Sequence, residues 1–310
     1  MKTHVDLFSG CGGFSVAAEQ MGYDTILAVD NNKDAAKLFK HNFPRSRVIV
    51  DTVSSVKSWP GGVYLVTGGP PCQAYSIANQ RTSGGSNDKY FLYRDFLSAV
   101  GEMNPRHVVM ENVMAIPDDV LLDVTTSLDS FGYNTTFFLV CASWYGVPQY
   151  RKRVFVVASR DAIGTLPEVQ PEIPVRSVLT LPREYDKTID HVGYTFSLFN
   201  KHVVRYIPPG GDYTYVPEEL RRSSADKFKT KFFRLDPDRP SKTVVAHLQY
   251  DGNNFIHPEF DRTISVREAA RIQTFPDSFE FPVRYKRAFQ AIGNAVPPRL
   301  GATILSTLGG

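Results

Sequence analysis

Four short apolar runs in the first quarter of the chain all stop at the kind of residue that binds or reacts, and this constrains the fold most. His4–Phe8 runs into the turn Ser9-Gly10-Cys11-Gly12-Gly13, Thr25–Val29 into Asp30, and Arg47–Val50 into Asp51. Val63–Val66 runs into Gly68-Gly69-Pro70-Pro71-Cys72-Gln73. Phe14–Met21 and Lys33–His41 read as helices between the first three runs. Strands alternating with helices build a parallel, doubly wound sheet, and such sheets hold ligands beyond the carboxyl ends of their strands. The rhythm continues with a helix over Tyr90–Met103, a strand over His107–Met110 ending at Glu111-Asn112-Val113, a helix over Leu121–Phe131, and β-rich stretches over Asn134–Ala142 and Val154–Ala158. The expected class is α/β, a doubly wound mixed sheet of Rossmann type.

The strand ends define the candidate chemistry. A cysteine held between a proline and a glutamine in a stiff turn, as Cys72 is, suits a nucleophile. The Gly10–Gly13 turn suits close backbone approach to a nucleotide-like cofactor, or serves only as a turn. Asp30 lies at a spacing suited to a ribose hydroxyl pair, and Asp51 could accept from an adenine amino group. A dehydrogenase would use a similar layout, but the turn departs from GxGxxG and no hydride chemistry is visible. Glu111 caps a turn or acts as a catalytic acid; its position on the same edge as Cys72 favours the acid. Strand alternation puts Gln149, Arg151 and Arg153 on one face, as a salt-bridged edge strand or a cationic arm. The polar stretch Ala78–Lys89 is a surface loop or a lid over the thiol.

Composition narrows the class. With 310 residues and 42% apolar content the chain supports a real core in one large or two modest domains. No apolar run is long enough for a membrane helix, and no secretory signal precedes the first strand, so a cytoplasmic protein is expected. Three widely spaced cysteines, Cys11, Cys72 and Cys141, fit neither a disulfide framework nor a zinc pattern, and no metal is expected. The net charge of +3 decides little. Between Arg221 and Lys242, however, eight basic residues face three acids, with Phe228, Phe232 and Phe233 interleaved. That stretch is a solvated face or a phosphate-tracking surface. From about Ile163 prolines become frequent and the alternation stops. A catalytic domain over residues 1–162 and 286–310 and a smaller, irregular, β-leaning domain over 163–285 are expected.

Together these residues resemble the cytosine-C5 DNA methyltransferases of bacterial restriction-modification type, nearly end to end apart from the variable second domain. Asp6-Leu7-Phe8-Ser9-Gly10-Cys11-Gly12-Gly13-Phe14 resembles the family's S-adenosylmethionine loop, and Gly69-Pro70-Pro71-Cys72-Gln73 its nucleophile motif. Glu111-Asn112-Val113 and Gln149-Tyr150-Arg151-Lys152-Arg153 resemble its Glu-Asn-Val and Gln-x-Arg-x-Arg motifs. Arg267–Asp277 resembles the motif that closes the recognition domain, and Gly293-Asn294-Ala295-Val296-Pro297 the last, which returns to the catalytic domain. Asp30 departs mildly, since the family often has Glu there.

The resemblance implies S-adenosyl-L-methionine as cofactor, with Phe8, Ser9, Gly10, Cys11 (through its backbone), Gly13, Asp30, Asn31, Asp51, Thr52, Gly69, Pro71, Leu92, Asn294 and Val296 around it. It implies that the Cys72 thiolate adds to carbon 6 of a cytosine, which makes carbon 5 nucleophilic. Glu111, carrying a proton, would contact ring nitrogen 3 and the exocyclic amine. Arg153 would contact the carbonyl oxygen, and Arg151 and Arg153 would favour the thiolate. Methyltransferases of this kind flip their base out of the duplex. The expected partner is double-stranded DNA, bound by a monomer at the nucleoid, with a cognate restriction endonuclease acting on the same site. The alternative acceptor is tRNA.

Overall fold

The computed structural model of the chain describes residues 2–71, 92–179, 202–221, 232–248 and 255–309. Its strands are β1 (Lys2–Leu7), β2 (Tyr23–Val29), β3 (Arg47–Ile49), β4 (Leu65–Gly68), β5 (His107–Val113), β6 (Asn134–Cys141), β7 (Lys152–Ser159), β8 (Phe233–Arg234) and β9 (Phe255–Ile256). Its α-helices are α1 (Gly13–Gln20), α2 (Lys33–Asn42), α3 (Leu92–Met103), α4 (Asp118–Ser130), α5 (Arg176–Leu179), α6 (Val266–Ile272), α7 (Tyr285–Asn294) and α8 (Pro298–Leu305). Among the described residues no helix is long and apolar enough to cross a membrane.

Seven strands form one mixed sheet in the order β3-β2-β1-β4-β5-β7-β6. β1 pairs in parallel with β2 and β4, and β4 with β5, whereas β7 runs antiparallel between β5 and β6. The chain winds from β1 outward to β3, then restarts at β4 on the other side of β1. This reversal makes the β1/β4 gap the topological switch point, where doubly wound sheets bind ligands. The strands hold because their side chains are apolar on both faces: Val5, Leu7, Leu65, Val66, Val108 and Met110 are all completely buried. Burying one such side chain stabilises the fold by roughly 1.5–3 kcal/mol. Helix α1 meets α8 through small residues, and a Cβ on Gly301 would stand 2.9 Å from Ala17 Cβ.

The chain divides into two compact units. One comprises Met1–Tyr145, Lys152–Val169 and Ala295–Gly310 and carries the seven-stranded sheet. The second comprises Gly146–Arg151 and Gln170–Asn294. The divisions between these compact units fall at 169/170 and 294/295, and Gly146–Arg151 belongs to the second. The physical reason is side-chain fastening. Gln149 and Arg151 are buried and bonded to residues 244, 273 and 293 of that unit. Among its described residues the β content of the second unit is the parallel ladder β8/β9, two residues long on each strand, and the isolated bridges Gln149–Ser241 and Ile256–Thr263. Pro208, Pro209, Pro217, Pro237 and Pro240 remove ladder donors from this region.

Helix α6 has a complete start signal. The Ser265 hydroxyl accepts from the Glu268 amide, and the Glu268 carboxylate accepts from the Ser265 amide.

Candidate active site

Register places the candidate residues in one row. Leu7 is level with Val29 on β2 and with Gly68 on β4, and Gly68 with Met110 on β5. The next residue on each strand is Phe8, Asp30, Gly69 and Glu111, so these four stand side by side at the carboxyl edge. Asp51 lies one step farther out, because Ile49 is level with Val29.

The turn after β1 is conformationally demanding. Phe8, Gly10 and Gly12 all have positive φ, at 53°, 55° and 100°. For phenylalanine this is a costly conformation, of a kind that collects at functional sites. Asp30 holds the turn: its Oδ2 accepts from Gly10 N at 2.8 Å and its Oδ1 from Asn32 N at 2.8 Å. Burial raises the Asp30 carboxyl above its ordinary range, against the lowering effect of those two amides. Asn32 then caps α2 by accepting from Asp34 and Ala35. Gly13 touches the last motif, since a Cβ there would stand 2.2 Å from the Val296 carbonyl oxygen. Gly13 and Val296, both expected at the cofactor, are thus brought together. Asn31, Asp51, Thr52, Pro71 and Asn294 are exposed, and Phe8, Gly10, Gly69 and Leu92 half-buried.

Glu111 and Arg153 form an ion pair, with Arg153 Nε 2.7 Å from Glu111 Oε1. Glu111 is level with Phe155 on β7, so Arg153 is its diagonal neighbour, within reach of a long side chain. Their side chains are 12% and 15% exposed, enough for a ligand to touch both. A Cβ on Gly69 would stand 3.3 Å from Glu111 Oε2 and press on that carboxylate by a few tenths of an ångström.

Arg151 is employed differently from Arg153. It is 2% exposed, with Nη1 donating to the Val244 carbonyl at 3.2 Å and Nη2 to the Gly293 carbonyl at 3.1 Å. Gln149 completes this clasp. Its oxygen accepts from Val244 N at 2.8 Å, its nitrogen donates to Gln273 Oε1 at 2.9 Å, and Gln273 donates to the Ile292 carbonyl at 2.7 Å. The shared-face reading of Gln149, Arg151 and Arg153 fails because the strand begins only at Lys152.

Cys72 and the Ala78–Lys89 lid fall outside the described residues. The other two cysteines are buried. Burial pushes the Cys11 thiol up to about 12, so it stays protonated and unreactive. Cys141 Sγ lies 3.3 Å from Ser143 Oγ.

The basic stretch is only partly available to phosphate. Arg222, Lys227, Lys229 and Lys231 lie outside the described residues. Arg234 is buried and donates to the carbonyls of Val204, Ile207, His257 and Phe260 and to Asp261. Arg221 donates to Thr214 and Val216 carbonyls, and Lys242 Nζ sits 3.5 Å from the centre of the Phe233 ring.

The sequence reading gave no role to the side chains of His4, Asp6, Ser15 and Thr67, all of them buried and polar. A His and an Asp two apart in a strand buried on both faces was the available signal, because such groups need partners.

The chain belongs to the C-5 cytosine-specific DNA methylase family, which it matches over residues 2–310. It is a DNA (cytosine-5-)-methyltransferase. It is 28% identical to Type II methyltransferase M.AgeI of Thalassovita gelatinovora, over 99% of both chains. It is 29% identical to Type II methyltransferase M.Eco47II of Escherichia coli, over 97% of this chain and 77% of that one. Its fold matches a structure described as a prophage-encoded DNA modification methyltransferase of Escherichia coli, with a TM-score of 0.77, 24% identity and coverage of 99% and 98%. It also matches Spodoptera frugiperda DNMT2, with a TM-score of 0.72, 18% identity and 99% coverage of both chains.

Proposed function

We propose that this chain methylates carbon 5 of a cytosine flipped from duplex DNA, and that the modification protects a specific site from a cognate restriction endonuclease. The observation that carries the reading is the Glu111–Arg153 pair, in the same row as the glycine turn. The S-adenosylmethionine that the family uses supplies an electrophilic methyl group when bound. The turn fits it: the buried Ser9 hydroxyl has no partner among the described residues, and nothing stands within 4 Å of a Cβ on Gly10. Phe8, Ser9, Gly10, Cys11 (through its backbone), Gly13, Asp30, Asn31, Asp51, Thr52, Gly69, Pro71, Leu92, Asn294 and Val296 would surround it.

In this reading Cys72 adds as a thiolate to carbon 6, and Glu111 meets nitrogen 3 and the amine. Arg153 orients Glu111 through its Nε and reaches the ring oxygen. Arg151 acts through position, by fixing the segment from which Arg153 extends. The unit from Gln170 to Asn294 reads the flanking sequence, and the enzyme works as a monomer in the cytoplasm, at the nucleoid.

The test is covalent capture. Wild-type protein with cofactor should form a stable adduct on duplex DNA containing 5-fluorocytosine, and Cys72→Ala should form none. Labelled methyl groups should appear in duplex DNA and not in tRNA. Methylation of tRNA alone would transfer the assignment to an RNA acceptor, and no methyl incorporation into either would sink it.

A further inference from the structure

A continuous line of buried side-chain hydrogen bonds crosses the middle of the sheet and takes no part in the steps above. It begins at Thr25 on β2, passes through His4 on β1, Thr67 on β4 and Asp6 on β1, and ends at Ser15 in the first turn of α1. The links measure 3.0 Å from Thr25 Oγ1 to His4 Nδ1 and 2.8 Å from His4 Nε2 to Thr67 Oγ1. They continue at 3.0 Å from Thr67 Oγ1 to Asp6 Oδ1 and end at 2.6 Å from Ser15 Oγ to Asp6 Oδ2. All five side chains are at most 2% exposed.

The donors can be assigned. Above about pH 7, where Asp6 is ionised, it only accepts, so Thr67 and Ser15 both donate to it. Thr67 has one proton, which leaves its oxygen to accept from His4. His4 therefore carries its hydrogen on Nε2 and accepts at Nδ1 from Thr25. The imidazole is neutral, because complete burial lowers it to about 3. The titratable groups around Asp6 are Asp30, the Cys11 thiol and, through Thr67, His4.

We propose that Asp6 is a positioning residue of the methyl-transfer site, which with Ser15 and Thr67 locks the glycine turn to the strand leading into Gly68–Pro71. The bond to Ser15 closes Leu7–Phe14 into a ring, so the strained turn is held from both ends. The bond to Thr67 grips β4 one residue before Gly68, the residue level with Leu7. The cofactor turn and the approach to the nucleophile motif are thereby fixed to one carboxylate. This role rests on the function proposed above.

The two arms predict separable kinetics. Ser15→Ala frees only the turn and should raise KM for S-adenosylmethionine about tenfold while kcat holds, as loss of one buried hydrogen bond allows. Thr67→Val frees β4 from Asp6 and removes the acceptor of His4 Nε2, while leaving the Asp6–Ser15 bond at the turn, and should lower kcat about tenfold with KM nearly unchanged. Asp6→Asn should change both. Nitrogen-15 spectra of the imidazole give a readout independent of activity. Wild-type His4 should be the Nε2–H tautomer, and Thr67→Val should abolish that preference. Variants that lose only melting temperature, with both kinetic constants intact, would reduce the line to a structural feature and overturn the role. A wild-type protein that transfers no methyl group overturns the proposed function instead, while the His4 tautomer still reports whether the line exists.

Discussion

The two units satisfy the buried polar groups at their centres differently. In the sheet unit Asp6 and His4 are partnered by other side chains, Ser15, Thr67 and Thr25. In the second unit buried arginines are partnered by backbone carbonyls: Arg234 by those of residues 204, 207, 257 and 260, Arg151 by 244 and 293, Arg267 by 276 and 279. The cause is backbone accounting. A sheet satisfies most of its own N–H and C=O groups, so His4 and Asp6, buried within it, pair with other side chains. An irregular, proline-interrupted unit leaves carbonyls over, and a guanidinium with five donors can satisfy several at once. Arginine there does the work of a β-ladder.

The largest effect should come from removing the most connected of these arginines. Arg234→Met should destabilise the protein by about 3–5 kcal/mol, because buried carbonyls and Asp261 lose their donor together. Denaturant unfolding measures this, and a loss below about 1 kcal/mol would break the contrast between the units. The sheet unit should be most sensitive to volume instead. Gly13→Ala drives a Cβ to 2.2 Å from the Val296 carbonyl oxygen, so the backbone must shift. A loss of about 3 kcal/mol and weakened cofactor binding are expected. Equilibrium titration with cofactor checks the second part.

Arg151→Lys sharpens the comparison from the other side. It keeps the positive charge and loses the fork that reaches Val244 and Gly293 together. If Arg151 acts through the clasp, stability should fall by about 2 kcal/mol and kcat with it. If its charge alone favours the thiolate, Lys should preserve kcat, and the alkylation rate of Cys72 against pH should stay as in wild type.

The same contrast explains what could be read from residues alone. The strand–helix rhythm was legible because each strand is a short apolar run closed by turn residues. The row of strand ends was legible for the same reason, and Asp30 and Glu111 stand in it. The Arg151 clasp was not, because its acceptors lie 93 and 142 residues away. Nor was the use of Arg234 as a packing hub, since in sequence it looks like one more cation in a basic stretch. The His4–Thr67–Asp6 line depends on the register of three strands, and Phe8 gives no local sign of its left-handed conformation.

The last effect concerns pH, and it separates the two buried groups of the sheet unit. Burial raises the Asp6 carboxyl from 3.8 to about 7. The folded protein thus holds that proton more tightly than the unfolded chain, so Asp6 makes stability fall as pH rises from about 4 to about 7. Burial lowers His4 from 6.5 to about 3. Here the unfolded chain binds the proton more tightly, so His4 makes stability fall as pH drops from about 6.5 to about 3. Between about pH 4 and 6.5 the two slopes oppose each other. Asp6→Asn removes one of them, so the stability of the variant relative to wild type should climb with pH across that interval. The slope should approach about 1.4 kcal/mol per pH unit and level off above about 7. Urea midpoints at pH 5, 6 and 8 measure it. A flat difference would mean that Asp6 titrates as it does in the unfolded chain, and that the hydroxyls of Ser15 and Thr67 offset the whole cost of burying its charge.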